Sequence, residues 1–286
     1  MKNIIIDIIK GALIGVANVI PGVSGGTLAV STGVYEKIIN AINNIRKDFK
    51  NSVKTLWPFL VGMAIGIVAL AFVITFLLEK FPVPTTACFI GLVLGGVPTL
   101  YNKIKNEKVK WTHVVSFIIT LAVIIIPAVI AVSTPSVTSM EITFVNVLIL
   151  GALGVISAAA MVVPGVSGSM ILMMLGYYNF IMSTIKNTVS TVVHFEMNDL
   201  FSNVLIMIPF GIGVLLGIIV ISKIIAFALK RWPNASIWGI LGLVVASPFA
   251  IIIKLGVVVL TPLSIVASLA TFLLGYVISS KLGEEK

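Results

Sequence analysis

The chain has 286 residues, of which 59% are hydrophobic and only 10% are charged. A soluble domain carries about 25% charged residues, and it cannot bury this much apolar surface. The composition therefore indicates an integral membrane protein and excludes disordered, disulfide-rich and soluble nucleic-acid-binding classes. The net charge of +9 comes from basic residues between apolar segments, a pattern typical of membrane orientation.

Ten apolar segments follow one another along the chain, and we expect all of them to be helical. Their approximate bounds are 4–20, 26–42, 56–79, 84–101, 111–133, 142–162, 167–185, 203–229, 235–253 and 257–280. A helix needs about 20 apolar residues to cross the hydrocarbon core, and the first segment is shorter than that and carries charges. We therefore predict re-entrant helical hairpins over 4–42 and 142–185, with their broken backbone buried in protein or lining a cavity.

The two halves of the chain repeat each other. Pro21-Gly22-Val23-Ser24-Gly25 recurs 143 residues later as Pro164-Gly165-Val166-Ser167-Gly168. A second block, which contains Gly62 and Gly66, recurs 151 residues later, and the extra eight residues fall in a loop predicted around 186–202. We predict an all-α polytopic membrane protein with one repeat in 1–140 and another in 141–286. Each repeat has an odd number of segments, so the two would have inverted orientations, as in many transporters.

Within each repeat, three spans would follow the re-entrant hairpin. They are 56–79, 84–101 and 111–133 in the first repeat, and 203–229, 235–253 and 257–280 in the second. With a cytoplasmic N-terminus, thirteen basic residues fall on the inner side and three on the outer side. This bias follows the positive-inside rule and predicts that both termini are cytoplasmic. It does not distinguish re-entrant from spanning hairpins.

The two Pro-Gly-Val-Ser-Gly turns are the strongest candidates for a binding site. Proline interrupts a helix, and glycine lets a ligand approach the backbone closely. A helix that begins after such a turn presents free N–H groups and its positive dipole end, which favours an anion such as phosphate. We expect the turns to meet near the membrane midplane. The alternative is a pair of kinked helices that pack through small residues. The predicted substrate-binding residues are Asn18, Pro21, Gly22, Ser24, Gly25, Gly26, Thr27, Pro164, Gly165, Ser167, Gly168 and Ser169.

The sequence around both turns resembles a known bacterial family. Residues 15–37 and 160–169 are similar to the two signature motifs of the PopT-type polyprenyl-phosphate transporters, and the likeness covers nearly the whole chain. The resemblance implies a flippase that returns undecaprenyl phosphate to the cytoplasmic leaflet of the plasma membrane for reuse in cell-wall synthesis. The family's second signature often has an acidic residue after its tyrosine, whereas here Asn179 follows Tyr178; in the first motif Glu36 follows Tyr35.

Charges inside apolar segments are costly and are therefore candidates for function. Asp7 and Lys10 are three residues apart on one predicted helix and could pair. Glu36 could pair with Lys10 or carry a coupling proton, and Lys223 could balance a bound phosphate. For each of these residues, the alternative is a structural ion pair or a position at the membrane interface.

Two alternative functions stay open, a small-anion transporter or channel and a lipid phosphatase. A transporter or channel for a small inorganic anion could use the same turns, whereas a lipid also needs an apolar groove that opens towards the membrane. A lipid phosphatase needs a nucleophile with a base. However, His113 and His194 lie in or beside loops on opposite predicted faces of the membrane, far from either turn, and no catalytic motif is present. We therefore expect a non-enzyme without cofactor or metal, whose partner is a polyprenyl-phosphate lipid and not a nucleic acid.

Overall fold

The computed structural model is helical, with no strand in the part of the chain that it describes. That part comprises residues 2–19, 24–129, 137, 139–140, 143–194, 197–255 and 261–284. The helices are α1 (Lys2–Val19), α2 (Gly25–Ser31), α3 (Tyr35–Asn43), α4 (Phe49–Lys80), α5 (Pro82–Leu94), α6 (Val97–Ile104), α7 (Trp111–Val129), α8 (Phe144–Val162), α9 (Gly168–Met174), α10 (Tyr178–His194), α11 (Met197–Arg231), α12 (Pro233–Leu255) and α13 (Pro262–Glu284).

Several of these helices are long and apolar enough to cross a membrane. Among the described residues there are five such stretches, which are Pro82–Ile104, Phe144–Val162, Val204–Arg231, Pro233–Ile253 and Pro262–Gly283. The predicted all-α polytopic membrane fold is therefore confirmed. The inverted orientation of the repeats, their boundaries and the re-entrant hairpins stay predictions.

The helices form two compact units, and the larger one comprises Met1–Ile130, Val163–Val166 and Ser222–Lys286. In this unit α1 packs along α4 with their backbones almost in contact. A Cβ atom on Gly62 would collide with the Ile8 carbonyl oxygen, and one on Gly66 with that of Ala12. Small residues are what permit such close approach between apolar helices.

Two further helix pairs in the larger unit combine helices from both halves of the sequence. These pairs are α5 with α13 and α7 with α12. Gly91 of α5 lies directly against the Phe272 backbone of α13. Between α7 and α12, the Ser116 hydroxyl donates a hydrogen bond to the Ala235 carbonyl at 2.8 Å. Helices from the first half of the sequence thus pack against helices from the second half.

The second unit comprises Ala131–Val162 and Ser167–Ile221. In it α8 approaches α11 through glycines. A Cβ atom on Gly213 would collide with the Gly151 carbonyl oxygen, and one on Gly154 with that of Phe210. Beside this contact lies an apolar cluster that joins α8, α9 and α10, and its buried members are Leu150, Leu153, Leu172, Phe180 and Ile181.

Each predicted segment after a turn is two helices and not one. In the segments predicted over 26–42 and 167–185, the short helices α2 and α9 each span seven residues. A glycine with positive φ follows each of them, Gly33 at 74° and Gly176 at 79°. Because other residues rarely adopt this conformation, these glycines allow the chain to turn before α3 and α10 begin.

The prediction of a loop around 186–202 is wrong. In the structure α10 continues to His194 and α11 begins at Met197. Several hydroxyl groups of α10 bond to their own helix. The Thr188 hydroxyl donates to the Thr184 carbonyl at 2.7 Å, and the Thr191 hydroxyl donates to the Asn187 carbonyl at 3.0 Å. Hydroxyl groups that bond one turn back can be accommodated inside a helix.

Candidate functional site

The first motif, residues 18–27, is built where α1 ends and α2 begins. The Gly25 N–H donates to the Asn18 side-chain oxygen at 3.2 Å. Asn18 lies so close to Gly25 that a Cβ atom there would be 2.5 Å from its amide oxygen. Ser24, at the N-cap position, makes no capping hydrogen bond with its side chain. Asn18 therefore satisfies the first free N–H of α2. Two predicted site residues, Pro21 and Gly22, lie outside the described residues.

The first motif contacts the start of the second motif, residues 163–169, within the larger unit. The Gly165 N–H donates to the Thr27 hydroxyl at 2.5 Å, and the Ser24 hydroxyl donates to the Val163 carbonyl at 3.5 Å. Thr27 is completely buried, and Ser24 is nearly so. Residues almost half the chain apart are thus brought together, and the hydroxyl of Thr27 holds a backbone amide of the other motif.

Gly165 is glycine for two reasons. Its φ is +83°, a conformation that other residues rarely adopt. A Cβ atom there would also stand 2.8 Å from the Leu243 carbonyl oxygen and 3.0 Å from the Ser247 hydroxyl of α12. The neighbouring Pro164 is fully buried. The start of the second motif is therefore held tightly against α12.

The remainder of the second motif belongs to the second unit. The Ser167 and Ser169 hydroxyls lie 2.8 Å apart and share a hydrogen bond. A Cβ atom on Gly168 would be 2.7 Å from the Ser157 carbonyl oxygen of α8. Ser167 has φ −107° and ψ 123°, almost the values of Ser24, and it too leaves its helix uncapped by its side chain. The two serines thus occupy matching backbone positions.

A cavity of about 350 Å³ adjoins the start of the second motif in the larger unit. Its wall is mostly apolar and includes Val163 and Pro164 of the second motif and Tyr35 at the start of α3. The lining also includes Ile225, Ala228 and Leu229 of α11, Trp232 between the helices, and Ile240 and Leu243 of α12. The cavity could not be predicted from the sequence, because its lining comes from helices far apart in the chain.

Two of the four predicted charge-coupling residues, Asp7 and Glu36, form ion pairs with lysines that the sequence pattern does not indicate. The Lys37 ammonium lies 2.7 Å from the Asp7 carboxylate, and the Lys103 ammonium lies 2.7 Å from that of Glu36. Lys10, expected to pair with one of these acids, is buried on α1. The structure thus shows Lys37 and Lys103 as partners of these two acids, and the predicted pairing of Lys10 stays a prediction.

Lys223 is exposed on α11 and does not line the cavity of the larger unit. Its neighbour Ser222 is completely buried, and its hydroxyl has no hydrogen-bond partner among the described residues. Sequence analysis did not single out Ser222. A serine within an apolar helix gives no signal, because such a hydroxyl usually bonds to its own backbone.

Known proteins resemble this chain over most of its length. The model of a family described as VCA0040-like, undecaprenyl phosphate translocase-like, matches residues 14–261. A protein named polyprenyl-phosphate transporter from Staphylococcus aureus (strain NCTC 8325 / PS 47) is 33% identical, over 97% of this chain and 95% of the relative. One of the same name from Vibrio cholerae serotype O1 is 28% identical, over 86% and 76%. No solved structure matches the chain.

Proposed function

The chain belongs to the undecaprenyl phosphate translocase-like family, and from this premise we propose that it returns undecaprenyl phosphate from the outer to the cytoplasmic leaflet of the bacterial plasma membrane. Its relatives are named as transporters of polyprenyl phosphate and not as enzymes. The lipid would therefore cross without covalent change and serve again as a carrier in cell-wall synthesis.

The cavity beside the second motif is the observation that carries this proposal. A small inorganic anion needs polar donors alone, whereas a lipid phosphate needs donors next to an apolar surface. Pro164 lines the mostly apolar cavity, and the next residue in the chain, Gly165, donates its N–H to the Thr27 hydroxyl. This arrangement favours a lipid over the alternative of a small inorganic anion, because an apolar wall offers such an anion no compensation for lost hydration.

The phosphate would be held by the two motifs. Its oxygens would accept hydrogen bonds from the hydroxyls of Ser24 and Ser167 and from backbone N–H groups that follow them. The Gly165 N–H would also donate to the phosphate, and its present hydrogen bond to the Thr27 hydroxyl would then break. The full set of proposed contacts comprises Asn18, Pro21, Gly22, Ser24, Gly25, Gly26, Thr27, Pro164, Gly165, Ser167, Gly168 and Ser169. Substrate would thus compete with the hydrogen bond that joins the motifs, which couples binding to their separation.

The charged residues would control how the helices around the motifs move. The Asp7–Lys37 pair joins α1 to α3, and the Glu36–Lys103 pair joins α3 to α6. Protonation of Glu36 would release one of these connections. Lys10, buried on α1, would stabilise negative charge nearby, and Lys223 would attract the phosphate from the surface.

Transfer of the lipid between leaflets tests the proposal directly. The full chain is reconstituted in liposomes with undecaprenyl phosphate placed in one leaflet, and inorganic phosphate flux is measured in parallel. We expect transfer of the lipid well above that in protein-free liposomes, and no phosphate flux. Phosphate flux without lipid transfer would contradict the proposal and support the small-anion alternative.

Two matched tryptophan substitutions test the role of the cavity. Ala228 lines it, whereas Ala226, two residues earlier on α11, does not. We expect Ala228→Trp to fill part of the cavity and reduce lipid transfer sharply, and Ala226→Trp to leave it near the unsubstituted rate. Equal rates of lipid transfer in the two variants would show that the cavity is not part of the transport path.

Two serine substitutions test the phosphate site. A hydrogen bond to a charged group contributes about 1.5–3 kcal/mol, so Ser24→Ala and Ser167→Ala should each weaken lipid-phosphate binding about ten- to hundred-fold. Thermal unfolding should change little, because alanine fits the extended backbone of both positions. Normal binding by the double variant would exclude the serines from the site.

A further inference from the structure

A second cavity, of about 510 Å³, lies between α3 and the start of α4 in the larger unit. We call it the lysine–asparagine pocket. Eight of the nine residues that line it have polar side chains, among them Lys37, Asn40, Asn44, Lys47, Asp48 and Asn51. Of these, only Lys37 has a part in the proposed transport mechanism, as the partner of Asp7. The transport function leaves the pocket itself unexplained.

The start of α4 places the pocket at the level of the lipid headgroups. Lys50 and Lys54 are exposed just beyond it, and Trp57 follows with 40% of its surface exposed. The helix then continues into an apolar stretch that begins with the exposed Leu60 and Val61. Lysine and tryptophan at the end of an apolar helix are typical of the membrane–water interface.

The charge around the pocket is strongly positive. Residues 37–55 contain five basic side chains and one acidic side chain, which gives a net charge of +4. The acid, Asp48, is already engaged. Its carboxylate accepts hydrogen bonds from the Asn51 backbone N–H at 3.2 Å and from the Asn51 side-chain amide at 2.5 Å, and it caps α4. Its charge is therefore partly compensated by the helix N-terminus.

Lys37 is held in place while part of its ammonium group stays available. Its Nζ lies 2.7 Å from the Asp7 carboxylate and 5.2 Å from the centre of the Phe59 ring. An ammonium group has three donors, and Asp7 takes one of them. About half of the side chain, 48%, remains exposed. Lys47 is exposed, and the structure records no ion pair for it in the described part of the chain.

We propose that the lysine–asparagine pocket binds the phosphate headgroup of an anionic membrane lipid. The ammonium groups of Lys37 and Lys47 supply charge-assisted donors, and the side-chain amides of Asn40 and Asn44 supply neutral ones. The lipid's hydrocarbon chains then extend along the exposed apolar face of α4. The proposal does not depend on the transport function, since any phosphate-bearing lipid of this leaflet has the required chemistry.

Native mass spectrometry of the purified full chain tests this site. Phosphatidylglycerol is titrated against phosphatidylcholine, and the dissociation constant for the first bound lipid is compared between Lys47→Gln and Lys54→Gln. Lys54 is a matched control because it is exposed seven residues away and does not line the pocket. We expect Lys47→Gln to weaken phosphatidylglycerol binding about ten-fold or more, as for one lost hydrogen bond to a charged group, and Lys54→Gln to change it much less.

A variant that keeps the charge completes the test. Asn44→Leu removes an amide donor and should also weaken phosphatidylglycerol binding while thermal unfolding stays unchanged. Equal effects of Lys47→Gln and Lys54→Gln would show unspecific surface attraction and overturn the proposal, as would no effect of either. Undecaprenyl phosphate in place of phosphatidylglycerol shows which lipid is preferred. Displacement of both lipids by inorganic phosphate at an equal concentration would overturn the assignment to a lipid.

Discussion

The contacts α1–α4 and α8–α11 use the same small residues, but the helices that follow the two turns differ. Gly62 lies against the backbone at Ile8, and Gly213 lies against the backbone at Gly151, the position 143 residues after Ile8. By contrast, α3 carries Lys37 in an ion pair, whereas the corresponding residue of α10 is Phe180 in an apolar cluster. The repeat therefore preserves close backbone packing and not the distribution of charge.

Exchanging the two residues that differ most should have the largest effect. Phe180→Lys places an ammonium group in a buried apolar cluster without a partner, which should cost about 3 kcal/mol or more of the free energy of unfolding. Lys37→Phe removes the half-exposed partner of Asp7, which is itself only 16% exposed, and should cost less, about 1–2 kcal/mol. Unfolding of the purified variants in detergent measures both. Equal losses would mean that the surroundings of α3 and α10 are alike.

Filling the glycine contacts tests whether the packing is the same in both regions. Gly62→Leu and Gly213→Leu would each force two helix backbones apart and should cost about 1–3 kcal/mol or more. Gly211→Leu is the control, since no atom lies within 4 Å of a Cβ built there. The apparent melting temperature should fall in the first two variants alone. A harmless Gly213→Leu beside a damaging Gly62→Leu would show that the two contacts are not equivalent.

Thr27 distinguishes the first turn from the second, which has Met170 at the corresponding position. Thr27→Val keeps the shape but leaves the Gly165 N–H without its acceptor, and an unsatisfied buried donor costs about 1–3 kcal/mol. Thr27→Ser keeps the hydroxyl and should retain most of the stability. Thermal unfolding of the two variants compares them directly, and identical values would show that this hydrogen bond contributes nothing.

The smallest expected effect on stability is that of Glu36→Asn, which copies Asn179 of the second repeat into the first. It breaks an exposed ion pair with Lys103, so the free energy of unfolding should fall by less than about 1 kcal/mol, and by less still at high salt. Lipid transfer is measured in parallel. Transfer that falls far more than stability would support a coupling role for Glu36, and unchanged transfer would leave it a surface ion pair.

The sequence predicted the helices well because their limits are marked by local residues. Pro82 and Pro233, which correspond in the repeat and are 151 residues apart, each begin a helix. Trp111 and Pro262 are also 151 residues apart, and each of them begins a helix too. The polar stretch of α10 resembles a loop in sequence, but the hydroxyls of Thr188 and Thr191 bond within the helix, so their polarity does not interrupt it. Helix pairing was harder to predict. Helices that are apolar all round give no pattern to indicate which face meets which partner.

The site was predictable only as a pair of motifs. The repeated words identified Ser24 and Ser167, and the structure gives both the same extended backbone. The hydrogen bond from Gly165 to Thr27 could not be predicted, since no local spacing links residues 138 apart. The ion pairs show the same limit. The spacing of three residues suggests a pair of Asp7 with Lys10, but no local pattern indicates the ion pair of Asp7 with Lys37, 30 residues later.

The pairing of α5 with α13 has a consequence for synthesis of the protein. Gly91 needs the backbone around Phe272 to cover it, and that segment leaves the ribosome about 10 to 40 s later at ordinary elongation rates. During this interval α5 is already inserted, and its face of small residues has only lipid or the insertion machinery beside it. A chain truncated before α13 would therefore insert but remain open to wrong helix partners and to membrane proteases.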